Sequence, residues 1–308
     1  MRKIFFIFFY LFILSNTLVL KADQVQIIEK VGTDIITNID IENEYKYLIA
    51  LNTNYKSIDK KKIYNYSKES LIKEKIKKNE LEKYFELGVK DTYLDQKIQD
   101  IHKRIGIKDL NEFKIYLQNY NLKIEDIYKK IEIEVKWNKL IFDKYKNQIV
   151  INEENLKKKL LEDIEDKYSY NISELVFSTQ NKSDFEEKYK KIKESISNIG
   201  FEKTALIYSI SDSIENSGNL GWIDEISLSE IILNEIKKIE ISEITKPIKI
   251  QNGIIILKLN DKRKIIKTNK NTNDELLKLV NFERNRQLNI FSSIYFNKIK
   301  ELVYTNES

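Results

Sequence analysis

Cysteine is absent from the 308 residues, histidine and proline occur once each, and glycine only seven times. Without thiols the chain has no disulfide, no thiolate nucleophile and no cysteine-ligated metal. A single imidazole, His102 on the edge of a helical apolar stripe, cannot assemble a metal site or a catalytic triad, so a packing or surface role is expected. Few glycines and one proline leave few turn markers, and neither an internal repeat nor a low-complexity linker is visible. Charge of one sign is also missing. The chain has 53 Lys and Arg against 48 Asp and Glu, mixed along its length, which is the pattern of solvated helix surfaces and excludes a basic nucleic-acid footprint.

What is present begins with a layout of export. Arg2 and Lys3 precede an unbroken apolar run from Ile4 to Leu14, and Leu20-Lys21-Ala22 ends on a small residue before Asp23. This is the order of a secretory signal peptide, with cleavage expected near Ala22; the alternative is an uncleaved anchor from Ile4 to Leu20. Because Arg2, Lys3 and Lys21 are three of the 53 basic residues, the remaining chain is close to neutral. Roughly 285 residues without disulfides must be held by their cores, enough for two modest domains.

Beyond the leader, Gln24–Val31 and Asp34–Ile36 flank Gly32-Thr33 as two short strands, and Asn38 is the expected cap of the first helix. Apolar stripes then recur at helical spacing: Ile41, Tyr45, Leu48 and Ile49; Leu71, Ile72, Ile76, Leu81, Tyr84 and Phe85 before Gly88; Leu94, Ile98, Ile101 and Ile105 before Gly106; Phe113, Tyr116 and Leu117; Ile124, Ile127, Tyr128, Ile131 and Val135. None of these helices can bury its stripe alone. After a connecting helix capped by Asn152, the pattern changes to a buried strand Ile172–Phe177, helices opened by Ser183 and Ser227, and an alternating strand Ile254–Leu259. That β-α-α-β order marks an α+β module inserted in a helical chain. The C-terminal seam of Leu288, Phe291, Tyr295, Ile299 and Leu302 needs a partner, most simply the N-terminal helices. The predicted fold class is α+β, with signal 1–22, a helical region 23–166, the α+β module 167–264 and a closing helix 265–308.

Within the module, Ser217-Gly218-Asn219-Leu220-Gly221-Trp222 resembles the Gly-Gly-Asp-Leu-Gly-Trp signature of parvulin domains. Ile239, Ser242-Glu243-Ile244-Thr245 and Pro247-Ile248 resemble the family's Leu, Gly-Glu-Ile-Ser and Pro-Val block, and Gly253–Leu257 its closing Gly-Phe-His-Ile-Leu strand. Val31–Asp40 and the helices to Ile151 are similar to the opening of SurA-like chaperones, so the resemblance covers most of the chain beyond the leader.

The resemblance implies a peptidyl-prolyl isomerase fold, and the departures from it bear on activity. Glu174 and Ile255 stand at the family's two histidine positions, Ser211 (beside Asp212) at its Cys/Asp position, and Leu228 and Ile232 at its Met and Phe positions. Isomerisation must lower a barrier of about 18–20 kcal/mol by twisting an amide. A carboxylate and a branched alkane do not reproduce two hydrogen-bonding imidazoles. The expectation is a proline-sized apolar pocket of Leu228, Ile232 and Ile255, with Ser211 at its side, that binds peptide with weak or no catalysis. No catalytic residue is assigned with assurance, and no metal or cofactor is implied. By the same resemblance the partners would be unfolded or nascent exported polypeptides, outer-membrane proteins among them, met in the periplasm. The readings kept open are an active isomerase and a membrane-anchored chaperone. Among the 18 Tyr and 14 Phe, those at helical spacing should be core.

Overall fold

The computed structural model describes residues 24–89, 91–161, 167–251, 253–265 and 272–305. The leader and its cleavage site lie outside the described residues. Strands β1 (Ile27–Val31) and β2 (Asp34–Thr37) form an antiparallel hairpin whose turn uses Gly32 at a left-handed φ of 59°. Helix α1 (Asn38–Leu51) is capped by Thr37 with Asp40 in a capping box, one residue earlier than expected. Asn38 is otherwise engaged, accepting from the Gln26 N–H at 2.8 Å.

Helices α2 (Lys60–Leu81), α3 (Thr92–Arg104), α4 (Leu110–Gln118), α5 (Ile124–Tyr145) and α6 (Glu153–Leu161) follow. Because α2 ends at Leu81, Tyr84 is not turned inward as its spacing predicted; it is half exposed. His102 is buried, its Nδ1 2.8 Å from the Ile107 carbonyl and its ring beside Phe113, a packing role. Among the described residues no helix is long and apolar enough to cross a membrane.

The last helix, α10 (Thr272–Thr305), packs against α2, α5 and α6, so the helical body is closed by both ends of the chain. One core joins Val31, Ile41, Ile72 and Ile76 to Trp137, Ile141 and Ile299. The Trp137 indole donates to Ser292 Oγ at 2.9 Å, and Tyr145 stacks on Phe291 at 4.7 Å. Leu302, expected in that seam, is exposed and Val303 packs in its place. A second core gathers Ile98, Ile101, Phe113, Leu117 and Ile127 beneath Ala50.

Between α6 and α10 lies the α+β module: β3 (Tyr168–Phe177), α7 (Lys182–Ile199), α8 (Phe201–Tyr208), β4 (Asn219–Asp224), α9 (Glu230–Ile236), β5 (Ile248–Ile250) and β6 (Gly253–Lys264). The sheet order is β4-β3-β6-β5, all antiparallel. Strands β4 and β5 and helix α8 add to the β-α-α-β order read from the sequence. The caps also shift: Asn181 rather than Ser183 opens α7, and Ser229 rather than Ser227 opens α9.

Helix α8 docks the module onto the body. Its Leu206 is wholly buried among Leu48, Ile49, Tyr55, Ile58 and Ile63, with Tyr45, Tyr47, Tyr66 and Tyr120 around it and Ile214 alongside. Burial raises the Tyr55 phenol well above its ordinary range, with Tyr66 adding to the shift.

Candidate functional site

Side chains alternate across a strand, so β3 feeds two different environments. Leu175 and Phe177, with Ile256 of β6, face α7 and α8 and are sealed by Ile192, Phe201 and Ala205. Val176, with its cross-strand partner Ile255, and Leu257 face the other way, toward α9. There Leu228, Ile232 and Leu233 lie half-buried over a floor of Ile255, Leu257 and Ile236. Glu174 pairs with Leu257 in the register and shares this second face. The sequence-derived apolar residues Leu228, Ile232 and Ile255 are therefore in one cluster.

Glu174 and Ser211, 37 residues apart, are brought into contact: Ser211 Oγ donates to Glu174 Oε1. The chain after α8 is fixed against β3, with the Ile210 N–H bonded to the Val176 carbonyl at 2.8 Å and the Val176 N–H to Ser209 Oγ at 3.1 Å. Ser211 also caps the single 3₁₀ turn Asp212–Asn216. It thus serves both as turn chemistry and as partner of the carboxylate.

Gly218 closes the arrangement. Its carbonyl accepts from the Glu174 N–H at 2.7 Å, and a Cβ at this position would collide with the Glu174 carbonyl oxygen. With φ at +81° the position is open only to glycine without strain. Here the Gly-x-Leu-Gly string has a mechanical reason.

What this arrangement can do follows from its donors and acceptors. The aliphatic carbons can cover an apolar ring, beside a hydroxyl already committed to a carboxylate. Neither Ser211 nor Glu174 is an imidazole N–H donor to a strained amide. Among the described residues no group of three or more His, Asp or Glu is placed to hold a metal.

A separate concavity of about 730 Å³ lies where the body meets β4. Leu51, Asn52, Asn54 and Arg104 line it from the body, Ser217 and Leu220 from the module. Nearby on β4 the Trp222 ring carries the Arg263 guanidinium at 4.1 Å. Asn52 Nδ2 and Asn54 Nδ2 both donate to Ser217 Oγ, at 3.1 and 3.0 Å. No motif in the sequence announces these contacts, which join residues more than 160 positions apart.

The model of the family described as "Rotamase: PPIC-type PPIASE domain" matches residues 170–261. The chain is 25% identical over 187 residues to Chaperone SurA of Pseudomonas putida, covering 58% of this chain and 44% of that one. It is 26% identical over 201 residues to Foldase protein PrsA 2 of Bacillus cereus, covering 64% of this chain and 62% of that one. It therefore spans less than two thirds of either relative. Similar solved structures include a PpiC-type isomerase domain, 27% identical, covering 33% of this chain and 96% of that one at TM-score 0.30. PrsA of Bacillus anthracis is 21% identical, covering 77% of this chain and 95% of that one, also at TM-score 0.30. Sheet, signature loop and family model agree on residues 170–261 as a PpiC-type parvulin domain, set in this chain within a helical body.

Proposed function

We propose that this chain is an exported, periplasmic chaperone whose parvulin domain holds proline-containing segments in the groove of Leu228, Ile232 and Ile255 and isomerises them slowly or not at all. The observation that carries this reading is the groove's chemistry. Ile255 is an alkane in its floor, and the polar pair at its side is a carboxylate hydrogen-bonded to a hydroxyl. Such a surface favours binding over catalysis, because it buries a ring without polarising the amide beside it.

Similarity to a protein named a chaperone and another named a foldase supports a polypeptide as the ligand. The SurA-like build supports unfolded outer-membrane-type proteins as the clients. Apolar side chains on the surface, among them Val25, Ile27, Ile28 and Ile35 around the β1–β2 hairpin, fit generic chain recognition. Export rests on the charged start and the apolar run Ile4–Leu14. Intact mass of the exported protein separates a cleaved leader from a retained anchor, since loss of residues 1–22 excludes the anchor.

The function is tested by two assays on one preparation: suppression of aggregation of an unfolded β-barrel protein, and acceleration of a proline-limited refolding phase. Suppression without acceleration is expected. No suppression at severalfold excess would discard the chaperone reading. Acceleration that falls on Ile232→Ala or Ser211→Ala would establish the active-isomerase alternative.

A further inference from the structure

We propose that Asn52 and Asn54, on the helical body, are positioning residues for the parvulin groove, acting through Ser217. This rests on the reading of the groove as a peptide site. Asn52 both ends α1 and caps the 3₁₀ turn Thr53–Ser57, its side-chain oxygen accepting from the Asn54 N–H at 3.0 Å. With that oxygen occupied, the Asn52 amide nitrogen is turned to Ser217, where Asn54 joins it. Two donors on one pre-ordered turn thus converge on one hydroxyl.

Ser217 is an unusual receiver. It is buried and holds a left-handed φ of 57°, a conformation that disfavours side chains. It also occupies the first glycine position of the family signature, where a Cβ adds strain and only the hydroxyl gives a return. From Ser217 the contacts run directly to the site. The Gly218 N–H bonds the Ser213 carbonyl at 2.9 Å, and the Gly218 carbonyl holds the Glu174 N–H. Ser211 Oγ caps the Ser213 N–H at 3.4 Å and donates to Glu174. Ile214, in the same turn, packs in the tyrosine-lined socket of the body, and the Arg104 guanidinium reaches Asn216 at 3.4 Å. The segment that presents Ser211 and backs Glu174 is therefore held by the body on one side and by β3 on the other.

The test uses the full chain as processed by its host, a proline-containing tetrapeptide as the probe, and amide spectra of Ser211 and Glu174. Ser217→Ala and Asn52→Ala/Asn54→Ala should each weaken peptide binding by about fivefold, the worth of one net hydrogen bond. They should shift both amide signals while leaving the thermal midpoint close to that of the unaltered chain. Asn54→Asp, which can accept from the Ser217 hydroxyl instead of donating to it, should restore most of the binding. Unchanged affinity and unmoved amides in the asparagine variant would overturn the proposal, as would losses that follow the unfolded fraction alone. Ile232→Ala separates the two readings: if it leaves binding intact, or the unaltered chain does not bind the probe, the groove reading fails. The amide shifts of Ser217→Ala then decide the positioning role by themselves.

Discussion

Lys130 sits where α1, α2 and α5 meet, its ammonium 2.6 Å from Glu44 and also paired with Glu74, over the Tyr47 ring at 4.9 Å. Ser70 donates to the other Glu44 oxygen, and nearby Lys77 pairs with Glu134 over the Trp137 ring. The two buried faces of the parvulin sheet are instead filled by Ile, Leu, Val, Phe and Tyr, with Glu174 and Ser211 half-buried at the groove. The body thus sets buried ion pairs beside its apolar cores, while the module's sheet faces are closed mainly by apolar side chains, those of the groove among them. Truncating a groove residue therefore also removes part of what closes that sheet face.

The sharpest way to break this comparison is to remove the central cation. Burial opposes the Lys130 charge, but Glu44 and Glu74 outweigh it and hold its pKa above the ordinary lysine range. Lys130→Ala leaves two carboxylates without their shared partner, one of them 1% exposed, and should cost about 3–5 kcal/mol in denaturant unfolding. Ser211→Ala in the module removes one half-buried hydroxyl and should cost about 1 kcal/mol or less. Equal losses from the two variants would erase the contrast.

Gly218→Ala comes next, because it adds strain at a single point of the module, where the new Cβ also comes 3.1 Å from the Ala205 methyl of the α8 face. The new Cβ meets the Glu174 carbonyl at a left-handed φ, so a loss of about 1–3 kcal/mol is expected from backbone strain, with displacement of the Glu174 amide signal. A stability equal to the unaltered chain would mean that the turn can rearrange freely, and that its hold on Glu174 is slack.

The two regions also differed in how much the sequence disclosed. The body's stripes, such as Ile98 and Ile101 on α3 or Ile124 and Ile127 on α5, are periodic and proved buried. Cap positions slipped by one or two residues because Ser, Asn and Thr crowd the helix starts. Which of them caps depends on tertiary partners, as when the Gln26 N–H takes Asn38. Strand β4 alternates little because most of its residues are exposed, and β5 is three residues long, too short for any period to show. That Leu228, Ile232 and Ile255 would share one cluster was legible through motif resemblance. The Glu174–Ser211 bond and the Asn52–Ser217 clasp were not, since only the folded chain joins residues so far apart.

Ile232→Ala probes the groove with a smaller expected effect on the fold. Ile232 is half-buried over Ile255, so truncation should cost about 1 kcal/mol of stability, below the range for fully buried isoleucines. Peptide affinity should fall by more than that loss explains. An affinity change no larger than the stability change would reassign Ile232 to the core.

The smallest effect expected is an acid-side one that charge gives even to the module. Lys258 of β6 bonds Glu202 at the start of α8 at 2.6 Å. Burial alone would raise the Glu202 carboxyl, but the Lys258 hydrogen bond, with a backbone bond and the lysine's charge, brings it below its ordinary value of 4.5. A depressed folded pKa means that the pair stabilises the module above the unfolded value and that this contribution disappears as pH falls through the folded one. Both side chains are partly exposed, so solvent screening keeps the pair at well under about 1 kcal/mol. Urea midpoints taken from pH 6 downward should therefore decline slightly more for the unaltered chain than for Lys258→Met, the two curves converging in acid. Parallel curves would show that the Lys258–Glu202 pair adds nothing to the hold on α8.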